Sequence, residues 1–486
     1  MTRVSHRFTV TGRALSATAG NRSLSRAQLS FGAAWTAEWT FVVALGVVAF
    51  RGGGVATVGL IAFLRMAPPA LLGPISSALA DRFRRDRVLL LASLVRTGAI
   101  AAAAWLLAAG ATPVAIYALA VMASTAFIVY RPAHSALLPG LCTAPLELTS
   151  ATMVRGLLDS LSTLLGPAVA ALLLAVGSAA AAFGFAAVMS LLSALLLINL
   201  SYEVPPRHAV PLRRVMAEAG EGFRAVIRHR DAGVLVALAL AQTFTRGCFS
   251  VLVVVIAFDL LGTGAPGVGV LTAAVGAGAT AGSLGALVLV TGKRLAAIQG
   301  IGVALWGVPL ALSGAFPTTA AVLVFIGAIG VGNALVDVGL FTLIARLVPE
   351  ELLGRVFGAM ESLIAATVAV GSLVTPLAVH LLGVRGALAV IGMIAPVFVA
   401  FTWPRLQTID ASIVHRDAEI DALRRVGMLQ PLPMPAIENL ALHAGHSHVA
   451  AGDTVFRQGD TGDRFYVIDA GEADVIGDGL VLRALG

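Results

Sequence analysis

Long apolar runs separated by short polar segments constrain this chain more than any other feature of its sequence. A bilayer core of about 30 Å requires roughly 20 apolar residues per helix, and twelve runs come close to that length. Apolar residues make up 58% of the chain and charged residues 12%, whereas soluble domains carry roughly 25% charged residues. Lipid offers no hydrogen-bond partner to the backbone, so such runs cross a membrane as helices. The sequence therefore predicts an all-α membrane protein.

The twelve predicted transmembrane helices form two pseudo-symmetric groups of six. The first group comprises Leu29–Phe50, Val55–Leu79, Val88–Ala109, Pro113–Val129, Ser150–Val176 and Ala179–Leu200. The second group comprises Val234–Leu261, Val268–Val290, Ala296–Phe316, Ala320–Ile344, Phe357–Leu382 and Ala387–Trp403. The predicted domains are a basic N-terminal tail at 1–28, a first half at 29–200, a linker at 201–231, a second half at 232–404 and a C-terminal domain at 405–486.

Arginine and lysine are concentrated in alternate loops. One face of the membrane receives the arginines of the N-terminal tail with Arg82, Arg84, Arg85, Arg87, Arg131, Arg207, Arg213, Arg214, Arg224, Arg228, Arg230, Lys293, Arg294, Arg346 and Arg355. The other face receives Arg51 and Arg385. Because basic loops stay on the cytoplasmic side, we expect a multi-pass protein of the cell (inner) membrane with both termini in the cytoplasm. The net charge of +7 then reflects contact with anionic lipid rather than with nucleic acid.

The linker at 201–231 has a helical apolar pattern with arginines on its other face. The apolar positions are Leu212, Val215, Met216, Ala219, Phe223, Val226 and Ile227. This pattern predicts a basic amphipathic helix that lies on the cytoplasmic leaflet between the two halves. A binding site for a calmodulin-like partner is the alternative interpretation.

A short pattern occurs once in each half, at the start of the fifth and of the eleventh predicted helix. Val154–Leu161 and Val356–Leu363 both read V-x-G-x-x-[DE]-S-L, so a carboxylate recurs at the same place. Repeated halves of six helices are typical of carriers that expose a central site to each side in turn. We expect the two carboxylates, and a Gly-Pro pair deeper in the fifth helix, to act in gating. These predicted gating residues are Asp159, Glu361, Gly166 and Pro167.

A few charged and polar residues fall inside the apolar runs. Each charge costs about 2.5–3.5 kcal/mol at a helix centre, so we expect each to face a partner or a water-filled cavity. The predicted transport-pathway residues are Asp337, Glu38, Arg246, Asn333 and Arg65. Asn333 precedes Asp337 by one turn and shares its helix face. We hypothesise that Asp337, with Glu38, exchanges a proton between the two sides; a structural ion pair with Arg65 is the alternative for Glu38.

The eighth predicted helix is rich in glycine. Its glycines, which include a G-x-x-x-G spacing, are Gly269, Gly276, Gly278, Gly282 and Gly285. Small residues at this spacing allow helix backbones to approach closely in a membrane. The pattern therefore predicts close helix packing rather than a phosphate-binding loop.

The charged segment between the second and third predicted helices carries a family resemblance. It reads Leu79-Ala80-Asp81-Arg82-Phe83-Arg84-Arg85-Asp86-Arg87. It resembles the loop signature G-x-L-A-D-R-x-G-R-K of the major facilitator superfamily, and departs from it at Ser77, Arg84 and Asp86. The resemblance implies two six-helix halves, a small-molecule substrate and a conformational latch in this loop. The latch residues that it implies are Asp81, Arg82 and Arg85.

Further segments resemble one branch of that superfamily, which holds enterobactin exporters and macrolide-efflux proteins. They are Arg131-Pro132-Ala133, Leu138-Pro139-Gly140, Gly166-Pro167 and Gly354-Arg355-Val356-Phe357-Gly358. This resemblance covers residues 29–403 and implies efflux by a carrier, but it does not identify the substrate. With the intramembrane carboxylates, it favours proton-coupled efflux of small amphipathic molecules.

The composition changes after Trp403, where acidic residues become frequent. This change predicts a small soluble domain on the cytoplasmic side. Its predicted helices are Ala418–Val426 and a segment near Ile437–His443, and its predicted strands are Asp453–Arg457, Arg464–Ile468 and Glu472–Ile476.

The run from Gly459 to Ile468, followed by Gly471 and Glu472, resembles the first half of the β-roll in a cyclic-nucleotide-binding domain. The motif residues are Gly459, Asp460, Gly462, Asp463, Phe465, Tyr466 and Gly471. The phosphate-binding cassette of that family would follow Gly486. We therefore expect a truncated α/β-roll that does not bind cyclic nucleotide tightly. Its open strand edges predict poor order or pairing with another chain.

Other chemistry receives little support from the sequence. His443, His446 and His448 lie in a loop without a neighbouring acid or thiol, and Cys142 and Cys248 are isolated from each other. The sequence predicts no metal site, no cofactor and no enzymatic nucleophile. A proton-coupled efflux carrier is the favoured function. A membrane-embedded sensor that uses the C-terminal domain without transport is the alternative; substrate, direction, coupling ion and oligomeric state stay open.

Overall fold

The fold is known from a computed structural model. It describes residues 21–142, 145–200, 220–221, 224, 228, 230–289, 294–348, 350–430, 432, 437, 440–441, 444–457, 459–461, 464–477 and 480–485. For residues 74–82, 145–146, 149, 286–289, 346, 350–355 and 413–418 the description covers the backbone alone. The basic tail predicted at 1–28 and the amphipathic helix predicted in the linker therefore lie largely outside the described residues.

Helices dominate the first of two compact units, which comprise residues 1–404 and residues 405–486. The helices are α1 (Arg22–Arg82), α2 (Arg85–Ala108), α3 (Pro113–Phe127), α4 (Tyr130–Leu141), α5 (Pro145–Val176), α6 (Ala179–Leu197), α7 (Arg230–Val255), α8 (Gly264–Leu289), α9 (Leu295–Ala315), α10 (Thr319–Leu347) and α11 (Glu350–Arg425). A π-helical turn, Ile256–Leu260, continues α7. We call α1–α6 the N-terminal set, and α7 through residue 404 the C-terminal set.

Helix α1 is bent into a hairpin. Its backbone leaves the helical conformation at Gly53 and Gly54, and Gly54 has a φ of 65°, which suits a residue without a Cβ. Glu38 and Arg65 are 27 positions apart, yet their side chains form an ion pair at 2.6 Å. A straight helix would separate them by about 40 Å, so the two segments of α1 lie side by side and antiparallel. Helix α11 leaves the helical conformation in the same way at Gly383, where φ is 68°.

Ten helices in the described part of the chain are long and apolar enough to cross a membrane. They are Arg22–Gly73, Arg85–Ala108, Pro113–Leu141, Ser150–Val176, Ala179–Leu197, Arg230–Leu260, Gly264–Gly285, Leu295–Ala315, Thr319–Ala345 and Val356–Ser412. The first has 52 residues and the last 57, which exceeds what one crossing of a bilayer requires. The chain is thus a multi-pass helical membrane protein. The helix expected to end at Val129 instead continues to Leu141 after a short turn, because α3 and α4 stack end to end.

The two ends of the helix bundle differ in how they are packed. Short connections make successive segments antiparallel. We call the end with Arg22 and the Phe83–Arg84 junction the basic face, and the end with Gly54, Gly110 and Gly262 the opposite face. The largest buried apolar cluster lies toward the opposite face and joins both helix sets. Its fully buried members include Phe41, Ile100, Phe183, Leu252 and Ile326.

A separate buried cluster lies toward the basic face and draws on the N-terminal set alone. Its members include Leu24, Phe31, Leu89, Tyr130 and Leu137. The N-terminal set therefore has a core of its own at this end, whereas at the opposite face the two sets share one core.

Glycines of α8 bring neighbouring helices into close contact. A Cβ on Gly276 would lie 2.6 Å from the carbonyl oxygen of Thr163 in α5. A Cβ on Gly282 would lie 2.9 Å from the Cα of Val331 in α10. Helix α8 therefore lies between an N-terminal and a C-terminal helix, and the close packing predicted from its glycines is confirmed at these positions.

The second unit contains a two-stranded antiparallel sheet, formed by β1 (Ala473–Gly477) and β2 (Leu480–Leu485). Strand β1 matches the strand expected at Glu472–Ile476 to within one residue, and β2 was not predicted. The strands expected at Asp453–Arg457 and Arg464–Ile468 were wrong, because their described residues form no ladder with another strand. Period-two apolar patterning alone does not make a strand; a hydrogen-bonded neighbour is also needed. The first helix expected in this unit is the end of α11.

Candidate functional site

Asp337 is a carboxylate inside a membrane-capable helix, and its side chain is exposed. It lies on α10, and the amide Nδ2 of Asn333 donates a hydrogen bond to its Oδ2 at 3.0 Å. The predicted shared face of these two residues is confirmed. The exposed side chain borders open space, and a charge in this position requires that space to hold a partner or water.

Charged groups from both helix sets surround Asp337. Arg246 of α7 and Glu361 of α11 act on it electrostatically from the C-terminal set. Arg131 of α4 and Asp159 of α5 act on it from the N-terminal set. Arg246 also acts on Asp159, so its positive charge is shared by carboxylates of the two sets. We call these five residues, Asp337, Arg246, Glu361, Arg131 and Asp159, the charged cleft.

The N-terminal wall of the charged cleft combines cations with aromatic rings. Nη2 of Arg131 donates to Oδ2 of Asp159 at 3.4 Å, and both side chains are well exposed. The guanidinium of Arg131 also lies 5.7 Å from the ring centre of Trp35. Arg155 lies 5.5 Å from the ring centre of Phe31 and donates a hydrogen bond to Ser135. Such a wall can bind both an apolar surface and a charged group of a ligand.

A second charged group lies within the N-terminal set. The two carboxylate oxygens of Glu38 each accept a hydrogen bond at 2.6 Å, one from Nη2 of Arg65 and the other from Nη2 of Arg96. Nε of Arg65 donates to Oγ of Ser124 at 2.8 Å. Both guanidiniums are nearly sealed from solvent, with side-chain exposures of 7% for Arg65 and 3% for Arg96. We call Glu38, Arg65 and Arg96 the buried triad.

The buried triad contains one residue more than the ion pair expected from the sequence. The expected ion pair of Glu38 with Arg65 is present, and Arg96 joins it. Arg96 turns toward Glu38 and lies 4.1 Å from the ring centre of Phe127. The sequence signal that could have revealed it is the excess of arginine over acid in the first three predicted helices, since an intramembrane carboxylate seeks cations.

The opposite face is closed by contacts between the two sets. Phe50 of α1 stacks on Phe258 of the π-helical turn, with ring centres 4.6 Å apart. A Cβ on Gly46 would lie 3.2 Å from Cγ2 of Val254. A Cβ on Gly59 would lie 2.7 Å from the carbonyl oxygen of Ser372, so α1 and α11 are also in contact near this end. These contacts join the two sets near the opposite face, whereas the exposed residues of the charged cleft lie closer to the basic face.

The architecture and cleft agree with the matches to known proteins. The family model described as the Major Facilitator Superfamily matches residues 28–313, which is more than half of the chain. The chain belongs to the Major Facilitator Superfamily. It is a membrane transporter. Among curated protein sequences, none matches it significantly.

Solved structures of other transporters share the fold at low sequence identity. A mutant of the nucleoside transporter NupG has a TM-score of 0.65 and 12% identity, covering 80% of this chain and 100% of that one. A peptide transporter POT in complex with sulfate has a TM-score of 0.65 and 14% identity, covering 80% and 96%. The human organic anion transporter MFSD10 (TETRAN) has a TM-score of 0.57 and 16% identity, covering 78% and 98%. At these identities the similarity shows the fold alone.

The loop signature of the superfamily is described in part. The side chains of Asp81 and Arg82 lie outside the described residues. Nη1 of Arg85 donates to the carbonyl oxygen of Ala136 at 2.6 Å, which ties the start of α2 to α4. Arg84 and Asp86, two departures from the signature, form a two-point ion pair at 3.0 and 3.2 Å. The latch role of this loop stays a prediction.

The predicted gating residues occupy different environments in this superfamily member. Asp159 and Glu361 both belong to the charged cleft. Gly166 instead packs inside the N-terminal set: its carbonyl oxygen accepts a hydrogen bond from Oγ1 of Thr40 at 3.0 Å, and Pro167 beside it is buried. The structure does not bring the Gly-Pro pair to the cleft carboxylates, and a gating role for these four residues stays a prediction. Arg131 belongs to the cleft, although the sequence placed it only on the basic face.

The cyclic-nucleotide-like motif shows turn geometry at its described positions. Gly459 and Gly471 have φ values of 96° and 103°, and Oδ2 of Asp460 accepts a hydrogen bond from the backbone N–H of Arg457 at 2.7 Å. Phe465 and Tyr466 are exposed, at 59% and 44%. Gly462 and Asp463 lie outside the described residues. Among the described His, Cys, Asp and Glu residues, no group of three or more could hold a metal ion.

Proposed function

We propose that this superfamily member is a secondary active transporter that exports small amphipathic molecules in exchange for protons. The observation that carries the proposal is Asp337, an exposed carboxylate in a membrane-capable helix, surrounded by charges of both helix sets. A carboxylate in this position can hold a proton in one conformation and release it in another. Asn333 supplies a fixed hydrogen bond that orients the carboxylate.

The cleft supports the proposed class of substrate. Trp35 supplies apolar surface beside Arg131, and Asp337 supplies a negative charge on the other side. An amphipathic molecule with a charged group fits such a lining. The alternative of a sensor without transport gains nothing from the comparisons, because the three solved structures described above are transporters.

The proposal includes twelve membrane crossings arranged as two halves. Ten membrane-capable helices become twelve crossings if α1 and α11, each bent at glycine, cross twice. The cleft lies where the halves meet, as in carriers with repeated halves. We further propose that the basic face is cytoplasmic in the cell membrane, since the basic loops gather there. Asp159 and Glu361 gate the cleft, and Asp81, Arg82 and Arg85 latch the halves.

The test uses the full chain in proteoliposomes with an imposed pH gradient. Wild type and Asp337→Asn are compared on a panel of lipophilic drugs and siderophore-like compounds. We expect wild type to accumulate at least one compound against its gradient while dissipating the pH gradient. Asp337→Asn is expected to lose this accumulation entirely but to retain exchange of labelled for unlabelled compound, because a carboxamide cannot carry a titratable proton.

The matched control is Asp259→Asn, an exposed aspartate of the π-helical turn near the opposite face. It is expected to transport like wild type. Proton-driven accumulation that survives in Asp337→Asn would refute the coupling role. Transport by wild type of purely hydrophilic compounds alone would refute the amphipathic substrate class.

A further inference from the structure

The buried triad carries more positive than negative charge. Arg65 and Arg96 share the single carboxylate of Glu38, which leaves one net positive charge in this group. Glu38, Arg65 and Tyr130 act electrostatically on Arg96 in the described structure. Glu38 is the carboxylate among them, and Arg65 adds repulsion rather than balance. An unbalanced charge inside a membrane protein is unfavourable, and a nearby counter-ion removes that penalty.

Unused hydrogen-bond donors lie beside the same group. Nε and Nη1 of Arg96 are buried and have no acceptor among the described residues. Nε1 of Trp35 is likewise buried and has no acceptor there. Arg96 and Trp35 both contact the ring of Phe127, at 4.1 Å and 4.4 Å from its centre. The two unused atoms of Arg96 are donors in the triad itself, and buried donors without partners point to an ion or a water that completes them.

We infer that the buried triad binds a small monovalent inorganic anion, such as chloride, beside Arg96. The net positive charge and the unused N–H donors of the site favour binding of an anion over binding of water. The small exposure of the triad side chains, 3% for Arg96, 7% for Arg65 and 17% for Glu38, selects a compact anion over the carboxylate of a larger transported molecule. Trp35 lies between this site and the charged cleft, but the two sites have different charged residues. The inference does not depend on the proposed transport activity.

The experiment measures thermal unfolding of the full chain in detergent micelles. Sodium chloride is titrated against sodium gluconate at constant ionic strength, so that screening stays the same. We expect the unfolding midpoint to rise with chloride, by about 1–2 °C once chloride exceeds its dissociation constant tenfold. Bromide should act like chloride, and anomalous scattering from bromide in crystals should place it against Arg96.

Arg96→Gln is the decisive variant, because it leaves Glu38 and Arg65 as a balanced pair that can still fold. It is expected to lose the chloride response, whereas Arg51→Gln, which removes an exposed arginine of α1 near the opposite face, should keep it. Equal midpoints in chloride and gluconate for wild type would overturn the inference, as would a chloride response that persists in Arg96→Gln.

Two further titrations test whether the site binds an inorganic anion or the carboxylate of an organic ligand. Sodium acetate and sodium butyrate replace chloride in the same titration. If these carboxylates stabilise the protein at lower concentrations than chloride does, the site binds an organic carboxylate and the inference of an inorganic anion is wrong. Ordered water in place of bromide at Arg96 would also overturn it. Weaker or absent stabilisation by both carboxylates supports it.

Discussion

At the residue scale, spacing within one helix was predictable and partners between helices were not. The four-residue spacing of Asn333 and Asp337 requires a shared face, and the hydrogen bond at 3.0 Å follows from helix geometry. Arg96 lies 58 positions from Glu38, and only the packing of α2 against α1 brings the two together. A single sequence indicates that an acidic residue inside the membrane requires a cationic partner, but it does not show which of several arginines forms the ion pair.

The triad predicts a non-additive response to mutation. Glu38→Gln leaves Arg65 and Arg96 without their carboxylate, and removing one partner of a buried ion pair destabilises by about 3–5 kcal/mol. The double variant Glu38→Gln with Arg96→Gln removes a repelling cation as well. We expect the double variant to be less destabilised than the sum of the single variants. Unfolding midpoints of all four proteins in gluconate, free of halide, measure this coupling.

An additive result in that cycle would contradict the assignment of the triad as one electrostatic unit. Asp259→Asn, a substitution of an exposed aspartate in the π-helical turn near the opposite face, serves as the control partner for Arg96→Gln. That pair is expected to add, because substitutions at distant sites usually act independently.

At the element scale, the glycines decide how closely helices approach and where they bend. Gly54 and Gly383 adopt positive φ values and divide long helical runs, whereas Gly276 and Gly282 allow α8 to pack against two neighbours. The sequence showed the G-x-x-x-G spacing, and hence the packing, but it did not show which glycine faces which helix. Gly285 belongs to the same series, yet no described heavy atom lies within 4 Å of its Cβ position.

Two glycines of α5 test this difference within one helix. A Cβ on Gly166 would lie 2.6 Å from the Cβ of Trp39 and 3.0 Å from the carbonyl oxygen of Thr36, whereas none of the described atoms lies within 4 Å of that position on Gly156. Gly166→Ala is expected to destabilise by about 1–3 kcal/mol through overpacking. Gly156→Ala is expected to be neutral or to stabilise by up to about 1 kcal/mol, since alanine favours helix.

Unfolding midpoints in detergent compare the two alanine variants with wild type. A Gly166→Ala protein as stable as Gly156→Ala would show that α1 and α5 do not approach as closely as the structure has them. Activity of both variants in the transport assay then separates loss of packing from loss of function.

At the scale of the whole molecule, the two helix sets share a core at the opposite face and separate toward the basic face. The stacked pair Phe50–Phe258 and the close approach of Gly46 to Val254 seal one end. The exposed charges at Asp337 and Glu361 lie toward the other end. This distribution is that of a transporter whose cleft opens on the basic side, and transport to the other side requires the sealed contacts to part.

A cross-link at the sealed end tests this requirement. Gly46→Cys and Val254→Cys are combined in a background where Cys142 and Cys248 are replaced by serine and alanine. We expect oxidation to join the two new thiols and to stop transport, because the opposite face can no longer open. Reduction should restore transport. Each single-cysteine variant, oxidised in the same way, should stay active, and full activity of the cross-linked protein would exclude opening at this contact.

The sequence by itself determined the class of this protein, because the length and number of its apolar runs leave a bundle of membrane helices as the only way to satisfy the backbone in lipid. It also determined the family, through the residues of the charged loop, and the shared face of Asn333 and Asp337. Only the tertiary structure decided which charges meet. Asp337 interacts electrostatically with Arg246, Arg131 and Asp159 of both helix sets, while Glu38 forms ion pairs in a separate triad. The physical reason is that helical periodicity acts over a few residues, whereas these contacts depend on how distant helices pack.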